Sequence, residues 1–266
     1  MKCLNVIIYY NNPKEVKEYI ENCYSYGKDK VDVFVVINKD KNNEAIKMLT
    51  SLQKKYKTLK FINYKENVGY LNSLLNVIKD INLDDYKYYI LSNTDITYGN
   101  VDFFDYLLYH NYQSNIGCIA PSVYSTKTKS YSNPHYLKRI SKRKLMFLSY
   151  IYKFAFIGKI YIKLGEIKSR KRVFERESCF VYSPHGCYMI FSQAFIKKIH
   201  DFKYGVRLYS EESCIGELLL KENMSCYYDN YLKVNHNEST VTGKINYKLR
   251  FKYWKESIDY ILKEFY

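Results

Sequence analysis

The stretch YYILSNTDI, residues 88–96, is a short apolar run that ends in small polar residues and one aspartate, Asp95. Buried strands of open α/β sheets have such runs, and the ligand sites of these sheets lie at the carboxyl ends of the strands. A carboxylate at this point suits a hard divalent cation that carries a diphosphate, because both prefer oxygen partners. Taken alone, the segment also fits a strand that merely ends in a turn-forming Asn or Asp.

Strands and helices alternate around this segment throughout the first 124 residues. Apolar runs rich in β-branched and aromatic residues predict strands, and amphipathic stretches between them predict helices. Such alternation implies parallel pairing with right-handed crossovers, and therefore a Rossmann-like α/β sheet. The predicted strands cover 3–10, 31–38, 59–64, 86–92 and 116–124, and the predicted helices cover 14–26, 43–56, 70–81 and 101–111.

The second half resumes this pattern after an interruption. In CFVYSPHGCYMIFS, residues 179–192, the central Pro184, His185 and Gly186 predict a bent or interrupted strand. Predicted helices then cover 193–200, about 212–223 and 245–265, and a strand lies within 225–240.

The interruption carries most of the net charge of +15. Residues 137–172 contain twelve Lys or Arg and one acid, Glu166, so this segment is a local basic feature. A nucleic-acid footprint would spread over more of the chain, and no nucleic-acid partner is expected. Within the segment, LMFLSYIYKFAFIGKIYIKLG at 145–165 mixes apolar and aromatic residues with lysines. It fits either an anionic membrane surface or a solvated helical flap.

Cysteine usage and hydropathy point to a reducing compartment. The seven cysteines form no CxxC pair, which argues against a disulfide framework or a zinc site and favours the cytoplasm. No run of ~18 apolar residues occurs, so no transmembrane helix is expected.

Polar residues that could carry chemistry fall at the ends of predicted elements. Each has a structural interpretation: a lone histidine is commonly structural, and two glutamates that open a helix complement its dipole. Their order along the chain is more specific than any one of them. In order, they are Tyr10 and Asn11, the loop Glu66–Gly69, the triplet Asn93–Asp95, the pair Glu211 and Glu212, and His236 in LKVNH.

These five motifs resemble those of family 2 glycosyltransferases of the GT-A fold, in particular rhamnosyltransferase-like enzymes of bacterial surface-polysaccharide clusters. The resemblance covers about residues 4–240 except the basic insertion. It implies an α/β fold with a mostly parallel mixed sheet flanked by helices, and a basic helical insertion. It also implies a single domain over 1–266, divided into a nucleotide-sugar-binding half (1–124), the insertion (125–178), an acceptor and catalytic half (179–243) and a C-terminal helix (244–266).

The activity that this resemblance implies is an inverting transfer of a hexosyl group from a nucleotide-diphosphate sugar to a glycan or lipid-linked glycan. The implied metal ligands are Asp95 and His236, and the cofactor is Mn²⁺ or Mg²⁺ because a histidine suits Mn²⁺ at least as well. The implied catalytic base is Glu212, with Glu211 as the next candidate. The implied location is the cytoplasm, peripheral at the inner face of the membrane, with residues 137–172 facing the lipid.

The resemblance also assigns residues to the donor site. Tyr10 and Asn11 would contact the base and ribose, and Gly69 would allow close approach to ribose or phosphate, although it also fits an ordinary helix-entry turn. His185 and Gly186 would lie at the sugar, or else form a buried bulge. The full donor set is Tyr10, Asn11, Asn38, Asn67, Gly69, Asn93, His185 and Gly186.

The chain departs from the family pattern at three positions. Asn38 stands where an aspartate usually reads the base, with Asp40 two residues later. Asn93 replaces the first carboxylate of the metal motif, and Glu212 is one methylene longer than the usual aspartate. A catalytically inactive, glycosyltransferase-like scaffold is therefore an alternative, and a basic nucleic-acid-binding protein is a more distant one.

Overall fold

A computed structural model of the chain describes residues 1–38, 43–168, 173–238 and 246–266. The strands in this part of the chain belong to one ten-stranded sheet. Sequence such as VDVFVVIN at 31–38, which is rich in β-branched residues, favours these strands. The strands are β1 (Lys2–Tyr9), β2 (Val31–Asn38), β3 (Lys60–Tyr64), β4 (Tyr86–Ser92), β5 (Ile96–Tyr98), β6 (Ile116–Ser125), β7 (Ser130–Tyr131), β8 (Cys179–Val181), β9 (Tyr188–Ser192) and β10 (Ser225–His236).

The strand order along the sheet is β3-β2-β1-β4-β9-β6-β10-β5, with β7 paired to β6 and β8 paired to β10. β1 pairs in parallel with both β2 and β4, and β2 pairs in parallel with β3, as the alternation predicted. β6 and β10 are also parallel, whereas β9 is antiparallel to both of its neighbours. The chain leaves β1 toward β2 and β3 and then returns to the other side of β1 with β4. This reversal creates a crevice beyond the carboxyl ends of β1 and β4, where open α/β sheets bind ligands.

Helices cover both faces of the sheet. Along β1, Cys3 and Ile7 point to one face and Leu4 and Val6 to the other, as the two-residue period of a strand requires. The first face packs against α1, α2 and α4, and the second packs against α3, α7, α8 and α9. The helices are α1 (Pro13–Gly27), α2 (Glu44–Lys55), α3 (Tyr70–Val77), α4 (Phe103–Tyr109), α5 (Lys142–Lys153), α6 (Ala155–Lys168), α7 (Gln193–Lys198), α8 (Glu211–Lys221) and α9 (Tyr247–Phe265).

The basic insertion is helical where the structure describes it. α5 and α6 form a hairpin that packs on α9. The Tyr152 ring stacks on Phe251 with centroids 5.5 Å apart, and Gly158 lies so close to Phe251 that a Cβ would meet its ring at 2.9 Å. Among the described helices, none is long and apolar enough to cross a membrane. Residues 169–172 of the insertion lie outside the described residues.

The predicted interruption of the strand at 179–192 is confirmed: the break separates two strands, β8 and β9, which pair with different neighbours. Other elements differ from the sequence prediction. α3 ends at Val77 rather than at residue 81, because its last turns tighten: Lys79 N–H bonds to the Asn76 carbonyl and Asp80 N–H to the Val77 carbonyl. The strands β5 and β7, of three and two residues, were not predicted because they are too short to show a periodic pattern.

Candidate functional site

A cleft of about 620 Å³ opens at the carboxyl ends of β1, β4 and β10. Its walls are mainly polar at these strand ends and more apolar where α9 closes the opposite side. The lining residues are Ile8, Tyr10, Asn12, Glu15, Val16, Asn38, Asn67, Gly69, Tyr70, Ser92, Asn93, Thr94, Asp95, Lys127, Ser132, His185, Arg207, Leu208, His236, Glu238, Leu249 and Tyr253.

Asp95 and His236 meet in this cleft although they lie far apart in the sequence. β10 pairs with β5 so that His236 stands opposite Ile96, the residue after Asp95, and Asn237 N–H donates to the Asp95 carbonyl at 2.9 Å. His236 Nε2 is 3.3 Å from Asp95 Oδ1, and the two side chains are only 12% and 8% exposed. The sheet therefore brings together the two residues that were predicted as metal ligands.

The separation of these two atoms fits a shared cation. Two neighbouring ligands on an octahedral ion, each at ~2.1 Å, lie about 3 Å apart. A carboxylate oxygen with an imidazole nitrogen suits Mn²⁺, and suits Mg²⁺ less well. Within the described residues, no group of three or more His, Cys, Asp or Glu side chains could hold a metal ion. An ion here would thus need further ligands from a bound substrate or water.

Helix α1 holds the loop that carries Asp95. Asn12 caps the helix by accepting from Glu15 N–H at 3.3 Å, and its amide donates to Glu15 Oε2 at 3.1 Å. The other oxygen of Glu15 accepts a hydrogen bond from the Thr94 hydroxyl. Deeper in the core, the Tyr19 hydroxyl donates to Ser92 Oγ at 2.9 Å. Glu15 was missed from the sequence, where Asn12-x-x-Glu15 reads as a helix capping box.

His185 lines the cleft beside the Asp95–His236 pair. Its backbone N–H donates to Asn133 Oδ1 at 2.8 Å, and its ring Nδ1 accepts from Cys187 N–H at 3.3 Å. The ring lies 5.2 Å from that of His135 and 6.0 Å from that of His236. Burial first, and then these two rings, lower the pKa of His185 to about 3. The imidazole is therefore neutral, and its proton sits on Nε2 because Nδ1 is an acceptor.

The acidic pair at the start of α8 lies behind the cleft wall. Glu212 Oε1 accepts from Gly186 N–H at 3.2 Å, and a Cβ on Gly186 would come within 2.6 Å of that oxygen. Glu211 is buried and accepts from Tyr209 N–H at 3.0 Å. The chain enters α8 through Tyr209 and Ser210 with φ of 73° and 60°, a conformation that non-glycine residues rarely adopt.

Burial and the neighbouring charge of Glu212 raise the pKa of Glu211 to about 8. A carboxyl with this pKa is mostly protonated at neutral pH, so Glu211 is a poor proton acceptor there. Glu212 contacts the backbone next to the cleft-lining His185, which makes it the better placed of the two.

Comparison with known proteins agrees with this architecture at the level of the fold. No protein-family model matches the chain, and no curated protein matches it. Many solved structures are similar, and the following three are examples. Mannosyltransferase PcManGT from Pyrobaculum calidifontis, in complex with GDP-Man and Mn²⁺, has a TM-score of 0.58 at 10% identity, covering 90% of this chain and 58% of that one.

The second structure is GalNAc-T7 with UDP, GalNAc and Mn²⁺, with a TM-score of 0.64 at 9% identity, covering 98% of this chain and 47% of that one. The third is S. aureus TarS 1–349, with a TM-score of 0.53 at 12% identity, covering 86% and 60%. The fold that they share with this chain is that of GT-A glycosyltransferases, a mixed α/β sheet flanked by helices. The chain has the GT-A fold. It spans about half to three-fifths of the length of these structures.

The GT-A cleft includes most of the predicted site residues. Among the residues that the structure describes, four predicted ones are not in the lining, although Gly186 and Glu212 contact each other directly behind it. Asn11 is exposed beside the cleft with a φ of 50°. Asp40 lies outside the described residues. The lining contains Tyr10, Asn38, Asn67, Gly69, Asn93, Asp95, His185 and His236, and it does not contain Asn11, Gly186, Glu211 or Glu212.

Gly69 is required by a backbone contact within the protein. Its φ is +94°, and a Cβ would lie 2.4 Å from the Arg207 carbonyl oxygen. Asn67 shapes the turn by accepting from Gly69 N–H at 2.9 Å, and Asn38 accepts from Val68 N–H at 3.3 Å. The glycine thus lets the loop that carries Arg207 close over the entry to α3.

Five cleft residues that the sequence motifs did not indicate lie on the side walls. Lys127 follows β6, Arg207 precedes α8, and Leu249 and Tyr253 belong to α9. Glu238 follows β10 and accepts a hydrogen bond from the Ser125 hydroxyl. The GT-A cleft therefore contains cations as well as carboxylates, and no local sequence pattern marks them.

Glu211→Gln should raise the free energy of unfolding at pH 8 and leave it nearly unchanged at pH 4.5. The folded carboxyl has a pKa of about 8 and the unfolded one titrates near 4.5. Between these values the folded chain binds more protons, so wild-type stability falls as pH rises through this window. The neutral amide removes that loss, which is on the order of a few kcal/mol. Denaturant unfolding curves at both pH values measure the two free energies of unfolding. Equal free energies of unfolding for Glu211→Gln and the wild type at both pH values would contradict the raised pKa of Glu211.

Proposed function

We propose that this chain is an inverting, metal-dependent glycosyltransferase that moves a hexosyl group from a nucleotide-diphosphate sugar to a bacterial surface-glycan acceptor. The observation that carries the proposal is the Asp95–His236 pair, 3.3 Å apart at the strand ends of a GT-A cleft. The similarity to enzymes crystallised with nucleotide, sugar and Mn²⁺ supports it. The rhamnosyltransferase-like subtype and the single-domain organisation are part of the same proposal.

In this proposal Asp95 and His236 hold Mn²⁺ or Mg²⁺. The bound cation supplies charge neutralisation for the departing nucleoside diphosphate. Helix α1 keeps the ligand loop in place, because Glu15 fixes Thr94 and Tyr19 fixes Ser92. Lys127 and Arg207 line the same cleft and add positive charge for the diphosphate.

The nucleoside would occupy the end of the cleft formed by β1, β2 and the loop before α3. Tyr10 is about half exposed there and offers a ring face, and Asn38 and Asn67 offer amide groups. Asn11 lies beside them, and Asn93, which also lines the cleft, would contact the nucleotide sugar. The sugar would lie over His185 and Gly186.

Glu212 is the proposed base, with Glu211 as the alternative. It would take the proton of the acceptor hydroxyl as that oxygen attacks the anomeric carbon from the face opposite the diphosphate. A single displacement of this kind inverts the anomeric centre. Gly186 N–H, which donates to Glu212 Oε1, fixes the direction of the carboxylate.

The proposed acceptor is a glycan carried on a lipid, and the proposed location is the cytoplasmic face of the membrane. Support comes from the resemblance of the motifs to surface-polysaccharide enzymes and from the basic insertion beside the cleft. A catalytically inactive scaffold is the second candidate, favoured by the single carboxylate of Asn93–Asp95.

Isothermal titration calorimetry with UDP-, GDP- and dTDP-linked sugars, with and without Mn²⁺, tests the proposal. An active transferase should bind one nucleotide sugar far more tightly with Mn²⁺ and hydrolyse or transfer it slowly. Binding without any turnover would favour the inactive scaffold. A chain that binds no nucleotide sugar but binds RNA or DNA with a steep dependence on salt would contradict the proposal.

A further inference from the structure

The α5–α6 hairpin exposes an unusual number of large apolar side chains. Phe156 is 75% exposed and Tyr150 is 63% exposed, although both occur in regular helices. The inner side of the hairpin is used by contacts such as Tyr152 with Phe251, so the exposed side is a second, separate surface. Its large apolar members are Met146, Phe147, Tyr150, Phe154, Phe156, Ile157, Ile160 and Leu164.

The side chains of the hairpin that the structure describes include cations and no acid. Residues 142–165 contain six Lys or Arg and no Asp or Glu. All six are exposed: three begin α5, one ends it, and two lie in α6. They are Lys142, Arg143, Lys144, Lys153, Lys159 and Lys163.

This combination fits a bilayer better than a protein. The buried centres of protein interfaces are depleted in lysine, and a symmetric dimer through this surface would oppose one set of cations to another. A helix that lies in the headgroup region instead pairs Phe, Leu and Ile with Lys and Arg, which attract anionic lipids. Charge complementarity therefore selects an anionic phospholipid surface as the occupant.

Helix α9 connects this surface to the cleft. On one side, Leu249 and Tyr253 line the cleft. On the other, Phe251 and Trp254 contact the ring of Tyr152 in α5, with centroids 5.5 and 5.1 Å from it. Lys159 of α6 stands 4.7 Å from the ring centroid of Tyr247 at the start of α9. One helix is thus the shared wall of the cleft and the hairpin.

We propose that the α5–α6 hairpin docks the chain in the headgroup region of an anionic phospholipid bilayer and brings the α9 wall of the cleft to that surface. Docking follows from the hairpin alone. The second part rests on the proposed function: a lipid-linked acceptor would reach the cleft over Leu249 and Tyr253, which form its apolar wall.

Vesicle flotation tests the docking with two hairpin variants, each with a matched control. Lys144→Gln/Lys153→Gln/Lys163→Gln removes three exposed cations, and its matched control, Lys47→Gln/Lys54→Gln/Lys57→Gln, removes three exposed cations on and just after α2. Phe156→Ser/Leu164→Ser removes two exposed apolar groups, and its matched control is Val101→Ser/Tyr109→Ser.

The wild type should float with phosphatidylglycerol-containing vesicles and not with pure phosphatidylcholine. The hairpin charge variant should lose on the order of 10²-fold in partitioning, and the controls should lose little.

Equal partitioning by the hairpin variants and their controls would overturn the proposal. The proposal would also be overturned if the wild type formed a dimer in solution and Phe156→Ser/Leu164→Ser dissociated that dimer. Such a result would assign the exposed surface to a second copy of the chain. Thermal unfolding confirms that each variant is folded. Calorimetric donor binding without vesicles is measured in parallel: docking without donor binding would leave the hairpin proposal standing and refute the proposed function, and the reverse result would refute docking alone.

Discussion

Asp95→Asn should abolish Mn²⁺-dependent turnover of the nucleotide sugar while the fold stays intact. Asparagine keeps the shape of the side chain, which is only 8% exposed, but it removes the charge that faces His236 Nε2 at 3.3 Å. One histidine and a neutral amide make a weak site for a hard cation. The affinity for Mn²⁺ should fall by at least about 100-fold. Turnover should fall by about 10³-fold or more, since a metal contributes several kcal/mol to the stabilisation of the departing charge.

The measurement is Mn²⁺ binding by electron paramagnetic resonance or calorimetry, with turnover measured separately. Asp80→Asn is the matched control, because Asp80 is exposed just after α3 and does not line the cleft. The control should bind Mn²⁺ like the wild type. Unaltered Mn²⁺ affinity in Asp95→Asn would remove Asp95 from the metal site even if turnover were lost for another reason.

The central strands could be predicted from sequence because their periodicity is local. β1, β2 and β4 are continuous apolar runs that helices of 3.6-residue period separate, and this pattern requires a parallel sheet. β5 could not be predicted in this way, since three residues show no period. Yet β5 sets the register that places His236 opposite Ile96. The contact between Asp95 and His236 therefore results from pairing between strands that are distant in the sequence. In the sequence, only the order of the motifs indicated that these two residues share a site.

The cleft walls were harder to predict for a different reason. A side chain that faces a cleft and one that faces the core occupy the same stripe of an amphipathic helix, so Leu249 and Tyr253 look like core residues of α9. Glu15 is hidden by its second role as the hydrogen-bond partner of Asn12, which caps α1. Gly69 was predicted to admit a ligand or to form a helix-entry turn, and the structure adds a further reason for a glycine, the contact with the Arg207 backbone. A local sequence pattern indicates the role of a residue within its own helix or strand. The cleft walls instead depend on contacts between elements, which such a pattern does not show.

Glu212→Gln should retain donor and Mn²⁺ binding but lose sugar transfer by about 10²- to 10⁴-fold. Glutamine can still accept the hydrogen bond from Gly186 N–H, so the wall that carries His185 keeps its position. What is lost is the ability to take a proton from the acceptor hydroxyl. The effect should therefore appear in kcat for transfer, with the affinity for the nucleotide sugar unchanged in calorimetry.

Two further variants determine whether this loss belongs to Glu212. Glu256→Gln changes an exposed glutamate of α9 by the same chemistry and should leave transfer unaltered. Glu211→Gln separates the two members of the pair. Because burial raises the pKa of Glu211 to about 8, its carboxyl is mostly protonated at neutral pH, and replacing it by an amide should cost far less than the change at Glu212. If Glu211→Gln abolished transfer while Glu212→Gln remained active, the base would be Glu211, and activity should then rise with pH toward 8 as that carboxyl ionises.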